Sequence, residues 1–300
     1  MSRGEAQIPT RLAGSRCPAE LWRTRSLLVE RVVFAGSWRR FFAEIGLESF
    51  DDFYDYPGGL RIGQNNKRSV CKLTFGEGAE SKVFYIKRFH NAHLKDVFAA
   101  WCNFGRLTSQ AGVEWSNAGL LLQNGIDTYN PVCMGERTVW NFRRRSFVVT
   151  EQLKSTCLLD FVVKKWRTLE RPVQDRIVVA MANLTRRAHE LNISLPDLCI
   201  WHIFIDENSL KNGCDLAVID LHRMLRNVRS RNKKLRDLAM LYWSLADDYF
   251  DERHKDLLIT TYVGDGWPGS RNTIADRVVK RTRIIEKRRN LRHHYARAAI

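Results

Sequence analysis

The sequence predicts an α+β fold of two lobes, a small lobe on an antiparallel sheet and a larger, mainly helical one. Three observations predict it. Strand-like runs with turn signals stand at Ser69–Phe75, Lys82–Phe89 and Ser146–Glu151, whereas helical periodicity dominates from Leu158 onward. The strand Ser146-Phe-Val-Val-Thr-Glu151 followed by Gln152-Leu153 reads as a connector between the two halves. Between His189 and Arg223 a helix gives way to a loop holding Asp197, then a short apolar hairpin, then a second acid, Asp220.

At 300 residues the chain can bury a sizeable core. Its formal net charge of +16 calls for an anionic partner: nucleic acid, anionic lipid or a phosphorylated substrate. The seven cysteines are an odd number without C-x-x-C pairs, so they read as reduced thiols, with no disulfide framework and no zinc site. No apolar run approaches the roughly 18–20 residues of a membrane span, and Met1–Gly14 lacks the apolar core of a signal peptide. The expected location is therefore the cytoplasm, including a membrane surface.

In chain order, 1–50 reads as a partly helical N-terminal extension. Its first 20 residues are polar and are expected to be mobile, and Leu21–Phe42 interleaves apolar and basic residues, expected as a packed or interfacial helix. Residues 51–153 form the smaller lobe. Gly63-Gln-Asn-Asn-Lys-Arg68 is a polar hairpin tip before the strand Ser69–Phe75, and Lys82–Phe89 is the next strand. Lys87 lies late on that strand. It reads as an edge lysine or as the strand lysine that pairs with the α- and β-phosphates of ATP. The hairpin before it lacks a G-x-G-x-x-G pattern. Helices are expected over Leu94–Phe104 and Gly112–Gln123. The second carries Glu114, either a solvated acid or the helix glutamate that holds the lysine.

Residues 154–270 form the larger lobe, with helices over Asp160–Leu169, Val173–Leu191, Leu235–Tyr249 and His254–Tyr262. Residues 271–300 read as a basic helical tail, either a solvated face or a contact with anionic membrane. The helix, acid loop, hairpin and second acid form the catalytic core of kinase-like phosphotransferases. In that setting Asp197 can deprotonate a hydroxyl, and His202 and Asp220 can face the metal that carries the triphosphate.

With these pieces placed, the sequence resembles the lipopolysaccharide core kinase family, the Kdo/heptose kinases. The likeness runs from about Phe53 to Gly264 and is greatest to the branch that phosphorylates the first heptose of the inner core. It is carried by Phe84-Tyr-Ile-Lys87-Arg, Glu114-Trp115, Gly125-Ile-Asp-Thr128-Tyr-Asn-Pro131 and Gly135-Glu-Arg137. Further along stand Arg145–Glu151, His189 with Asp197 and His202, Ile219-Asp-Leu-His-Arg223, and the helix from Arg236 to Ser244. Two departures stand out. Leu195-Pro196 replaces the family's His-Arg before the catalytic acid, and Asn192 replaces its glycine.

The resemblance implies a bilobal protein-kinase-like fold and ATP-dependent transfer, with Mg²⁺, to a heptose or Kdo hydroxyl of a lipopolysaccharide-type inner core. Asp197 is then the base and Lys87, held by Glu114, the phosphate ligand. Asp220 and His202 face the metal, the main chain at Glu151–Leu153 meets the adenine, and Arg223 and Arg145 are candidates for the acceptor. The expected setting is the cytoplasmic face of the inner membrane, in peripheral contact with anionic lipid and with no nucleic-acid partner. The alternatives are a protein or small-molecule kinase of the same fold, and a catalytically dead basic scaffold.

Overall fold

The computed structural model describes residues 23–25, 28–90, 108–139, 143–264 and 271–298. The expected helix at Leu94–Phe104 lies outside them. The smaller lobe is built on seven antiparallel strands. These are β1 (Arg23–Arg25), β2 (Leu28–Phe34), β3 (Leu60–Gln64), β4 (Arg68–Phe75), β5 (Lys82–Phe89), β7 (Pro131–Val139) and β8 (Arg143–Glu151), in the order β1-β2-β7-β8-β5-β4-β3.

Much of the segment expected as a helix over Leu21–Phe42 is strand. Leu28-Val-Glu-Arg-Val-Val-Phe34 is rich in β-branched residues and pairs in register with β7, from Leu28↔Val139 to Phe34↔Cys133. Helix is confined to α1, Trp38–Glu44. Arg137 holds this added edge in place. Its guanidinium donates to Glu30 Oε2 at 2.7 Å and to Asp51 Oδ1 at 2.6 Å, joining β2 and helix α2 (Phe50–Tyr54) to β7.

Strand β5 alternates between the two faces of the sheet. Phe84 and Ile86 point into an aromatic cluster with Phe42, Phe50, Phe53 and Phe147 under α1 and α2. Arg88 points the same way and is buried, donating to the main-chain oxygens of Phe53 (3.0 Å) and Tyr56 (3.1 Å) at the C-terminal end of α2. Arg88→Leu leaves those carbonyls unpaired in an apolar layer. It is expected to cost about 2–4 kcal/mol, read as a lower urea midpoint at unchanged m-value. The opposite face of β5, with Phe89 and Lys87, turns toward helix α3 (Gln110–Gln123).

The larger lobe contains α4 (Leu158–Lys165), α5 (Arg171–Glu190), α6 (Arg231–Ser244), α7 (Glu252–Val263), α8 (Arg271–Glu286) and α9 (Leu291–Ala298). Strands β6 (Asp127–Thr128), β9 (Thr156–Cys157), β10 (Ile203–Ile205) and β11 (Leu216–Val218) form a second, small sheet. On α5, Ile177, Val178, Met181, Ala182, Thr185, Ala188 and His189 are buried, the stripe expected of an amphipathic helix.

The basic C-terminal segment is helical as expected, yet it is packed rather than free. Ile274, Val278 and Thr282, four residues apart on α8, are buried, and the Thr282 hydroxyl faces Ala239 O of α6. Tyr295 of α9 donates from its hydroxyl to Ser244 O at 2.9 Å and accepts from Ala246 N. His294 stacks on Trp201 with centroids 3.9 Å apart. The apolar stripe was hidden among arginines whose guanidiniums stay exposed while their helix buries.

Burial holds His90, His202, His254 and His294 below the ordinary histidine value of 6.5. The folded chain then binds fewer protons than the unfolded chain below pH 6.5, so stability is full above that value and falls as the pH drops through it. The melting temperature is expected to decrease from about pH 7.5 to about 5.5, before the carboxylates titrate. A flat profile across that window would contradict the burial of these rings.

Candidate active site

The site lies where the cleft face of the large sheet meets the small sheet. Lys87 sits between Val70 of β4 and Val148 of β8 and reaches across to α3. Its Nζ is 2.9 Å from Glu114 Oε2 and 3.5 Å from Asp220 Oδ1. Burial works against the ammonium, but the Glu114 and Asp220 carboxylates outweigh it and hold the Lys87 pKa above its ordinary value.

Glu114 is fully buried, so its position depends on α3. Ser109 caps that helix by accepting from Gly112 N at 3.0 Å, while its hydroxyl donates to Glu136 Oε1 at 2.5 Å. The Gly135-Glu-Arg137 motif thus has a physical reading. Gly135 leaves room for the Phe147 ring, which a Cβ there would meet at 2.2 Å. Glu136 anchors α3, and Arg137 anchors the sheet edge. Glu114 Oε2 also accepts from the Tyr129 hydroxyl at 2.9 Å. Burial, reinforced by that carboxylate, pushes the Tyr129 phenol well up, so it remains a donor.

Asp220 follows β11 in the left-handed region, with φ 62° and ψ 58°. Non-glycine residues rarely adopt that conformation outside tight turns and functional loops. Asn117 of α3 donates to Leu221 O at 2.8 Å and Thr128 donates to Val218 O, so both sides of Asp220 are fixed. Its Oδ1 accepts from His222 Nδ1 at 2.8 Å and Arg68 Nη1 at 3.2 Å. Burial alone would raise the Asp220 pKa, but the His222 hydrogen bond and the Lys87 and Arg68 charges hold it far below the carboxylate range.

His202 faces the other carboxylate oxygen. Its Nδ1 lies 2.8 Å from Asp197 O, which can only accept, so Nδ1 carries the hydrogen. Burial, only partly opposed by Asp220, depresses the His202 pKa and keeps the ring neutral. Nε2 therefore directs a lone pair at Asp220 Oδ2, 3.8 Å away. Two acceptors facing each other with no proton between them suit a divalent cation. Asp220 supplies the oxygen that Mg²⁺ prefers. The acids Glu114 and Asp220 also approach each other closely with His222, but Lys87 already bridges those two acids.

The Asp197 loop is braced without the missing histidine. Leu195 N donates to Asp237 Oδ2 at 2.8 Å, and Ser194 and Leu225 exchange both main-chain bonds at 2.9 Å. His189 is buried between Asp237 and Tyr262. Leu195 fills apolar space, and Asn192 takes φ +57°, a conformation glycine or asparagine adopts readily. The Asp197 carboxylate is met by Arg223 at 2.9 Å and by Arg289 at 3.6 Å.

The structure therefore brings Lys87, Glu114, Asp197, His202, Asp220 and Arg223 to one site. Glu151 and Leu153 stand on the connector, where the Glu151 and Gln152 amides are engaged by Asn130 O and Val83 O. Arg145 is not brought in. It pairs across from Arg137 and lies 5.7 Å from the centre of the Tyr54 ring, on the α2 face of the sheet. Strand alternation places it opposite to Val148. Arg68, Asn117, Tyr129, His222 and Arg289 joined the site without having been assigned a role in it. Of these, Tyr129 and His222 stood in recognised motifs, and the other three did not.

The lipopolysaccharide kinase (Kdo/WaaP) family model matches residues 62–262, which hold all of the residues expected at the site. Lipopolysaccharide core heptose(I) kinase WaaP of Pseudomonas aeruginosa is 33% identical over 156 residues, covering 50% of this chain and 58% of that protein. An Escherichia coli protein of the same name is 28% identical over 220 residues, covering 70% of this chain and 77% of that protein. A solved structure, WaaP in complex with acyl carrier protein, has a TM-score of 0.63 at 23% identity and covers 86% of this chain and 98% of that chain. That likeness carries the kinase-like fold. The family match spans about two thirds of the chain, and the chain belongs to the lipopolysaccharide kinase (Kdo/WaaP) family.

Proposed function

We propose that this chain transfers the γ-phosphoryl group of ATP to a sugar hydroxyl of a lipopolysaccharide-type inner core, with heptose as the acceptor sugar. The observation that carries the reading is the chain of contacts from Lys87 to Glu114 and Asp220, with Asp197 joined to the same cluster through His202. Phosphoryl transfer needs in-line positioning and charge neutralisation more than covalent help. Lys87 binds the α- and β-phosphates, and Glu114 keeps its ammonium aimed into the cleft. Arg68, at the exit of the β3–β4 hairpin, adds a second cation where the glycine-rich pattern is missing. The Leu153 main chain meets the adenine, because the two preceding amides are engaged in the sheet.

Asp220 and His202 would hold Mg²⁺, which neutralises charge on the phosphate oxygens. Asp197 orients the acceptor hydroxyl and takes its proton as the O–P bond forms. Retention of the Lys87–Glu114 pair favours catalysis over a dead scaffold. The net charge of +16 favours work at the anionic cytoplasmic face of a membrane, where such an acceptor is presented. Incubation with γ-labelled ATP and Mg²⁺ tests the proposal. Label is expected in core glycolipid ending in its heptose region and absent from generic protein acceptors. Label in the proteins alone would favour a protein kinase of the same fold.

A further inference from the structure

The cavity beside Asp197 has a composition that the phosphotransfer chemistry leaves unexplained. It is a groove of about 300 Å³ between α6, α8 and the turn after Asp220. Arg223, Arg236, Arg281, Arg288 and Arg289 line it, against the single carboxylate of Asp197. Its apolar wall is Met240, Ile284 and Ile285, and half of the Ile284 surface is open to solvent.

Five guanidiniums around one carboxylate repel each other, and the described residues do little to relieve this. Arg223 and Arg289 reach Asp197, and Arg281 reaches only the neutral amide of Asn232, at 3.3 Å. Arg236 and Arg288 have no acidic or hydrogen-bonding side-chain partner among the described residues. Guanidinium forks match phosphate and carboxylate oxygens two at a time, which makes a cluster of them an anion site rather than a generic solvated face. Asp197, Pro196 and Arg223 also line the small cavity at His202 and Asp220, so the groove shares a wall, and the Asp197 side chain, with the phosphotransfer centre. Five of its residues, Arg281, Ile284, Ile285, Arg288 and Arg289, lie beyond the residues matched by the family model.

We propose that this groove is the acceptor subsite. In it Arg236, Arg281 and Arg288 bind a phosphate or carboxylate already carried by the acceptor glycan, while the exposed face of Ile284 packs on the sugar ring. The inference rests on the phosphotransfer reading and specifies its acceptor as an anionic sugar. It also gives the Asp197 contacts a purpose. An anionic acceptor competes for Arg223 and Arg289, so its arrival loosens their hold on the base. The C-terminal helices thereby serve the site instead of acting as a tail.

The test uses the full chain and an R236Q/R288Q double variant, with deacylated core oligosaccharide that either keeps its phosphates or has been stripped of them. Charge-assisted hydrogen bonds of this kind predict that the variant raises KM for the phosphorylated acceptor about tenfold or more. The KM for ATP should not move, and kcat should change far less than the acceptor KM. With the stripped acceptor, variant and wild type should be equally poor where the bound group is a phosphate, whereas an undiminished gap between them assigns the groove to a carboxylate of the glycan. An R236K/R288K variant, which keeps charge but loses the forks, should fall between. Equal acceptor KM values in wild type and R236Q/R288Q would overturn the proposal.

Calorimetric titration of the phosphorylated oligosaccharide into ATP-free protein separates this inference from the reading it rests on. Tight binding lost in R236Q/R288Q, with no transfer by the wild type, would sink the kinase reading and keep the groove. Transfer by the wild type without any effect of the variant on binding would do the reverse. Loss of sedimentation with phosphatidylglycerol vesicles while oligosaccharide binding is retained would make the groove a lipid-headgroup site and refute the acceptor role. Unchanged melting temperatures confirm that these exposed substitutions leave the fold intact.

Discussion

Asp197→Asn is expected to lower turnover by about 10²–10⁴-fold, the usual contribution of a positioned general base, while the dissociation constant for ATP stays within about twofold. The geometry separates the two effects. The Asp197 carboxylate touches Arg223 and Arg289, whereas Lys87, Glu114 and Asp220 form their own cluster. The amide keeps the size of the side chain and can no longer accept the hydroxyl proton. Single-turnover transfer measured beside nucleotide titration checks both halves. Wild-type kcat in the variant would remove Asp197 from the base role.

Asp220→Ala is expected to act on binding and rate together. The carboxylate receives His222, Arg68 and Lys87, and its second oxygen faces the His202 lone pair. Its removal takes away the oxygen ligand of the cation and leaves Lys87 with Glu114 alone. Losing one member of such a half-buried charge network costs several kcal/mol, so Mg·ATP affinity should weaken by about a hundredfold or more. The rate should lose its saturable dependence on Mg²⁺ concentration. Normal Mg²⁺ saturation in Asp220→Ala would place the metal elsewhere.

Much of the site was legible because its chemistry sits in short-range spacing. His189, Asp197, His202 and Asp220 fall within one stretch, and the kinase-like order of elements places Lys87 and Glu114 opposite to it. Pattern alone could not show what depends on contacts between distant segments. Arg68 meets Asp220 across 152 residues, and Asn117 meets Leu221 across 104. Nothing in the hairpin tip or in α3 marks either residue. Arg145 was misplaced for a related reason, because a basic run beside a motif does not reveal which sheet face it takes. At the N-terminus the alternation of apolar and basic residues fits a helix or a strand about equally, and pairing with β7 decided for strand. At the C-terminus the density of charge masked the apolar stripe that docks α8 and α9. The replacement of His-Arg by Leu195-Pro196 gave no hint that Asp237, on α6, braces the Asp197 loop through Leu195 N.

In the proposed reaction the cluster around Lys87, Asp197 and Asp220 adds a phosphate to a core glycolipid. Mass spectrometry of that glycolipid from cells with the intact chain, without it, and with the Asp197→Asn chain tests this most directly. The account predicts one phosphate in the heptose region that depends on the intact chain and is lost in both other strains. An unchanged phosphate pattern in all three would contradict it.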